Sequence, residues 1–226
     1  FATVGGFAGS NTGRIARSAA TGAVSADGGS IAGFDLVAGG HTGLNLGTVS
    51  NSYARGAVAL SDATGGAAGG FVGRDVSNTT VADSYSTGAV SATGGSALVG
   101  GFAGEVLGGG ISGAYWDIET SGLTASAGGT GLTTAELQDT EAFPSLAGWD
   151  FATTWAPGTT GEAGDDGGGE ARYPRLYTID PVVYAIVGDF PGGVAFGDTE
   201  VGAACTRAGG PGTYVFVAVG VPVPVP

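Results

Sequence analysis

Lysine and methionine are absent from the 226 residues, cysteine and histidine occur once each, and charged residues make up only 12%. Each shortage excludes something. Seven arginines against 20 acidic residues leave a net charge of −13, so little here would neutralise phosphates and no nucleic-acid partner is expected. The single Cys205 cannot close an internal disulfide, so stability must come from packing and backbone hydrogen bonds. One His and one Cys also make a poor zinc ligand set. No stretch reaches the roughly 18 uninterrupted apolar residues of a membrane helix, so no membrane insertion is expected. What is abundant is glycine, 48 residues of it. It shows no every-third-residue period, which excludes collagen. At this density it would cost a helical bundle about 1 kcal/mol per site. An apolar share of 42% is too high for a charged disordered chain. An all-β, turn-dense chain remains, with the look of a secreted protein. It opens at Phe1 without Met, apparently inside a pattern, and so reads as a piece of something longer.

That pattern is a repeat. Gly5-Gly6-Phe7-Ala8-Gly9, Gly39-Gly40-His41-Thr42-Gly43, Gly69-Gly70-Phe71-Val72-Gly73 and Gly100-Gly101-Phe102-Ala103-Gly104 recur at spacings of 34, 30 and 31 residues. A second landmark keeps step: Ser18-Ala19-Ala20-Thr21-Gly22-Ala23-Val24, Ser52-Tyr53-Ala54-Arg55-Gly56-Ala57-Val58 and Ser84-Tyr85-Ser86-Thr87-Gly88-Ala89-Val90. Residues 112–117 open a fourth copy and then depart from it. Within a unit the alternation has period two, as in Val81, Asp83 and Tyr85 against Ala82, Ser84 and Ser86. A unit of this length with short strands cannot bury its own apolar face, whereas stacked units bury a continuous column. Residues 1–125 are therefore expected to form a parallel β-solenoid of about four repeats; the competing reading is a β-sandwich with accidental Gly repeats. Phe7, His41, Phe71 and Phe102 should stack in its core, as should Val24, Val58 and Val90. The Gly pairs are expected at tight corners, for positive φ and for close stacking of the coils.

These residues resemble a known family. The pattern G-G-[FL]-[AV]-G, then a β segment, then S-Y-[AS]-x-G-x-V, is similar to the GLUG-repeat region of filamentous-haemagglutinin-like bacterial surface exoproteins. Tyr115-Trp116-Asp117-Ile118-Glu119-Thr120-Ser121-Gly122, Gly128-Gly129-Thr130-Gly131-Leu132, Trp149-Asp150-Phe151, Trp155 and Tyr173-Pro174-Arg175-Leu176 resemble the segment that closes such arrays. The departures are His41 for Phe or Leu and Ala19 for Tyr. The resemblance implies an extracellular or cell-surface repeat scaffold and transfers no activity.

Residues 126–178 read as a cap closing the solenoid. Thr133 with Glu136 carries a helix N-cap signature, predicting a short helix to about Thr140 that ends before Pro144. Trp116, Trp149, Trp155 and Tyr173 would hide the last strand edges, or instead form a platform for sugars. Residues 179–226 read as a small β appendage, with strands at 182–187, 193–196 and 213–219. Its end alternates Val and Pro, so Tyr214, Phe216, Val221, Val223 and Val225 form either a linker or an assembly strand.

The chemistry is sparse. His41 has no partner placed by the sequence, and Asp27, Asp62, Asp75, Asp83 and Asp117 are scattered acids without an evident facing pair. Asp83 aligns with Asn51, as in a structural ladder. Asp165-Asp166 with loop carbonyls would suit calcium, but no EF-hand or nonapeptide calcium repeat is present, so no cofactor is expected. The expectation is a non-catalytic extracellular scaffold, a stalk or a self-associating fibre subunit. The alternative is an adhesin binding a glycan or surface protein through a solenoid face or the aromatic cap; a polysaccharide-active enzyme comes third. Where Tyr53, Tyr85 and Tyr115 point discriminates: in one stacked column for a scaffold, outward and spaced to a ligand for an adhesin.

Overall fold

A computed structural model describes residues 2–28, 35–61, 65–76, 78–93, 95–158 and 173–178, and the backbone of 204–206 and 215–217. Strands follow the repeat coil by coil. The first coil holds β1 (Ala2–Gly5), β2 (Ala8–Asn11), β3 (Arg14–Ala16), β4 (Ala19–Ala20) and β5 (Val24–Asp27); the second holds β6 (Asp35–Gly39), β7 (Thr42–Asn45), β8 (Thr48–Ser50), β9 (Tyr53–Ala54) and β10 (Val58–Ser61). The third holds β11 (Gly65–Gly69), β12 (Val72–Val76), β13 (Thr80–Ser86) and β14 (Val90–Ala92), and a fourth begins with β15 (Leu98–Gly100), β16 (Ala103–Leu107) and β17 (Gly110–Asp117). Each strand pairs in parallel with its equivalents in neighbouring coils, giving sheets β1-β6-β11-β15, β2-β7-β12-β16, β3-β8-β13-β17 and β5-β10-β14. The register pairs Gly5 with Gly39, Gly39 with Gly69 and Gly69 with Gly100, so the sequence period is the coil length. The chain is an all-β parallel β-solenoid.

The core stacks like on like. Rings of Phe7, His41, Phe71 and Phe102 lie within 6° of parallel at centroid separations of 5.0, 4.7 and 4.8 Å, close to the strand spacing of a sheet. Val24, Val58 and Val90 align in register and are buried. Phe7 stacks on His41 but departs from the expected core position, being 52% exposed.

The glycine pairs are where the sequence places them, for one of the two expected reasons only. None of Gly5, Gly6, Gly39, Gly40, Gly69, Gly70, Gly100 and Gly101 has a positive φ. Space is the constraint. A Cβ on the first glycine of each pair would overlap the carbonyl oxygen three residues on, and one on Gly6, Gly40 or Gly70 would overlap a carbonyl of the next coil. On Gly101 it would meet the Trp116 ring.

Left-handed backbone instead marks a different column: Arg17 (φ 53°), Asn51 (49°), Asp83 (49°) and Gly113 (55°). This corrects the period-two reading of β13. The left-handed residue shifts the alternation, so Val81 faces the solenoid core while Tyr85 faces out into a second cluster. Asn, Asp and Gly suit such a site, and the Asp83–Asn51 alignment is this structural ladder. Serines patch the interruption: Ser52 and Ser84 Oγ donate to the carbonyls of Ser50 and Ala82, and accept from the backbone N–H of Ser18 and Ser52.

After β17 come α1 (Ile118–Ser121), β18 (Thr130–Leu132), α2 (Thr134–Leu137), α3 (Ala142–Ala147), β19 (Trp155–Ala156) and β20 (Arg175–Leu176). The capping box of Thr133 and Glu136 forms as expected. α2 ends at Leu137, before Pro144 as expected, but that proline does not end the helical region. It is the third residue of α3, where an N–H has no intrahelical acceptor to lose. Residues divide into two compact units, Phe1–Leu176 and Tyr177–Pro226. In the second, β21 (Ala204–Thr206) pairs antiparallel with β22 (Val215–Val217). The strands expected at 182–187 and 193–196 lie outside the described residues, as do Tyr214, Val221, Val223 and Val225; Phe216 lies in β22 opposite Cys205.

Candidate functional site

The residues singled out as a cap separate into two groups. Trp116 pairs in register with Ser86, in the column that holds Ala20 and Ala54 in earlier coils. The bulky ring fits there against Gly101 and Gly131, and it joins the buried cluster of Phe71 and Phe102 as a plug for the solenoid core. Over it the chain continues as a partial coil. Gly101 N–H donates to Ala125 O, Ala127 N–H to Ala103 O, and β18 pairs with Tyr115–Asp117.

Trp149, Trp155 and Tyr173 do something else. They lie along the outer face of the tyrosine column, with Leu137, Phe143 and Leu176. Tyr53 stacks on Tyr85 at 5.3 Å, and Trp149 stacks on Trp155 at 4.6 Å. Polar atoms fix this segment to every coil. Arg17 donates to Thr154 Oγ1 (3.3 Å), Trp155 Nε1 to Asn51 Oδ1 (3.1 Å), Tyr85 Oη to Pro174 O (2.7 Å) and Trp149 Nε1 to Gly113 O (2.8 Å). Arg55 lies over the Tyr53 ring at 4.6 Å and donates to Tyr85 Oη. Residues 142–158 and 173–176 thus form a lateral clamp across the left-handed column as well as closing one end. Tyr53, Tyr85, Trp149, Trp155 and Tyr173 are all buried, so none offers an exposed ring face.

Asp117 ties the clamp to the last coil. It is fully buried; Oδ1 accepts from the N–H groups of Glu119 and Thr120, and Oδ2 from Thr134 Oγ1 (2.7 Å) and Tyr173 Oη (2.5 Å). Burial first, then the bond to Asp117, push the Tyr173 hydroxyl well above its ordinary range, so it stays a donor. The signal for this N-cap of α1, with Gly122 as its left-handed C-cap, is the run Asp117-Ile118-Glu119-Thr120-Ser121-Gly122 itself.

A second buried carboxylate ends a ladder of amides. Asn11 Nδ2 donates to Asn45 Oδ1, and Asn45 Nδ2 to Asp75 Oδ1, both at 2.8 Å. Thr79 Oγ1 also donates to Asp75 Oδ1, while Asp75 Oδ2 is buried with no hydrogen-bond partner among the described residues. Desolvation raises the Asp75 carboxyl above its ordinary range, against the lowering effect of those donors. A carboxyl raised on folding favours the fold below its unfolded value and loses that contribution as pH rises through its folded value. Asp75→Asn is therefore expected to raise stability by about 1–2 kcal/mol at neutral pH, with the gain shrinking at acid pH. Thermal melts of both chains near pH 4 and pH 7.5 check this; an equal shift at both pH values would sink it.

Asp27 is exposed in β5, Asp83 is half-buried in the left-handed column, and Asp62, Asp165 and Asp166 lie outside the described residues. Among the described residues no three His, Cys, Asp or Glu side chains group as a metal site, and no helix is long and apolar enough to cross a membrane. The chain is 38% identical over 97 residues, 41% of its length, to a protein of Evansella cellulosilytica provisionally named a Gly-rich membrane protein. It spans 11% of that relative's length. No family model matches the chain, and no solved structure does.

Proposed function

We propose that the chain is an extracellular structural scaffold, a β-solenoid stalk or fibre subunit, of the kind its GLUG-like repeats imply. One observation carries this reading: Tyr53 and Tyr85 are stacked, Tyr115 follows in register with its ring against Phe143 and Trp149, and all three are buried, with Tyr85 0% exposed. Side chains that would serve an adhesive face are consumed in holding coils together. Parallel pairing of every coil with the next also suits load-bearing, since separating coils breaks many backbone hydrogen bonds together. A relative named as a membrane protein is compatible with a cell-surface setting.

Sedimentation velocity and negative-stain microscopy of the full chain, beside one ending at Leu176, test the role. Regular fibres from the full chain alone identify a fibre subunit that assembles through residues 177–226. Single particles of both, with no hit on a glycan array, identify a stalk. Saturable glycan binding, weakened by substitutions on an exposed solenoid face, would overturn the scaffold reading in favour of an adhesin.

A further inference from the structure

We propose that His41 makes the joint between the first and second coils acid-labile, so that lowering pH releases the first coil while the clamped coils stay folded. The chain's one imidazole stands where the other coils carry a phenyl ring, between Phe7 and Phe71, and is 0% exposed. Its backbone carbonyl accepts from the N–H groups of Phe7 and Ala8, and Nε2 lies 2.9 Å from Ser18 Oγ, so it joins the first coil at three points.

The hydroxyl network selects the neutral tautomer. Ser52 Oγ gives its proton to Ser50 O at 2.9 Å. Ser18 Oγ therefore donates to Ser52 Oγ at 3.0 Å and accepts from His41 Nε2–H, leaving Nδ1 to accept from Thr42 Oγ1 at 2.9 Å. Protonating Nδ1 sets a donor against the Thr42 hydroxyl proton and buries a cation.

Among the described residues no acid offsets that cation. The groups facing the ring are Phe7, Phe71, Ser18 and Thr42, none of them charged. Of the charged side chains on the strands around it, Arg14 is exposed. Arg17 bonds Thr154, Arg74 bonds Asp35 and Glu105, and Asp75 bonds Asn45 and Thr79. Burial alone holds the imidazole down to about 3, from an ordinary 6.5. A histidine depressed on folding binds its proton more readily once exposed, so opening is favoured as pH falls through the unfolded value and levels off near the folded one. The first coil is the part that opens. Arg17 to Thr154 is its one described polar link to the clamp, and this coil carries Ala19 where the next two coils carry Tyr53 and Tyr85.

Hydrogen exchange of the full chain, corrected for intrinsic rates, should show residues 2–27 losing protection by up to roughly 100-fold between pH 7.5 and 4.5, with β13 and β17 unchanged. His41→Phe, which restores the ring of the other coils, should remove that pH dependence. The wild-type imidazole signal, unambiguous because the chain has one histidine, should report an untitrated ring in the closed state across this range. An imidazole that titrates near 6.5 with the first coil still protected would overturn the proposal, as would the same pH dependence in His41→Phe. The acid-labile joint is the same whether the chain is a scaffold or an adhesin.

Discussion

An Asp117→Ala chain is expected to lose about 3–5 kcal/mol of unfolding free energy, read from the urea midpoint at constant m-value. Four donors converge on this carboxylate, two backbone N–H groups at the start of α1 and the hydroxyls of Thr134 and Tyr173. Removing it takes that acceptor from all four and leaves the Tyr173 hydroxyl, beside the buried cluster that seats the clamp, with Thr134 and Gln138 alone. The series separates the contributions. Asp117→Asn keeps an acceptor, and the two hydroxyls can turn to accept from its amide, so it should lose less. Tyr173→Phe removes one donor and should cost about 1–2 kcal/mol. If Asp117→Ala fell within about 1 kcal/mol of the wild type, Asp117 would not be the tie between clamp and solenoid.

The second large effect concerns a methyl group. Gly70→Ala should destabilise by about 3 kcal/mol or more, because its Cβ would overlap the Gly101 carbonyl oxygen and lie 3.0 Å from Ser86 Oγ. Neither neighbour can yield: the carbonyl belongs to the next coil's corner, where Gly70 N–H already donates to Gly100 O. Coils separated there would also part the Phe71 and Phe102 rings, now 4.8 Å apart. Gly22→Ala is the control. Gly22 has no atom within 4 Å of its Cβ direction and no positive φ. Alanine there should be neutral, or stabilising by up to about 1 kcal/mol through the unfolded chain. Thermal melts of the two variants therefore move in opposite directions or by very different amounts. Similar shifts would show that the glycine pairs are not there for close approach.

What the sequence determined by itself is the one-dimensional part of the molecule. In a solenoid the residue directly above another is the residue one period later, so the spacing of Gly39, Gly69 and Gly100 is also the strand register. Stacking of Phe7, His41, Phe71 and Phe102 follows from that spacing, as does the alignment of Val24, Val58 and Val90. The Thr133–Glu136 cap was legible for a similar reason, because its partners lie three residues apart.

What only the tertiary structure decided involves contacts that no period encodes. One left-handed residue at Asp83 turns Tyr85 from the core to the outside, since moving the alternation by one residue exchanges the two faces of a strand. The glycine pairs serve carbonyl packing between coils rather than a left-handed turn, a distinction that composition does not carry. Trp116 and Trp155 look alike in sequence, yet one plugs the solenoid core and the other lies across the tyrosines. The choice depends on which coil is last and on where a non-repeating segment folds back. Asp117 and Tyr173 are 56 residues apart, and Tyr85 and Pro174 are 89 apart. Those pairs meet because a finished β surface with a stripe of exposed rings gains most by burying it, and the chain beyond the repeats is the part long enough and apolar enough to do so.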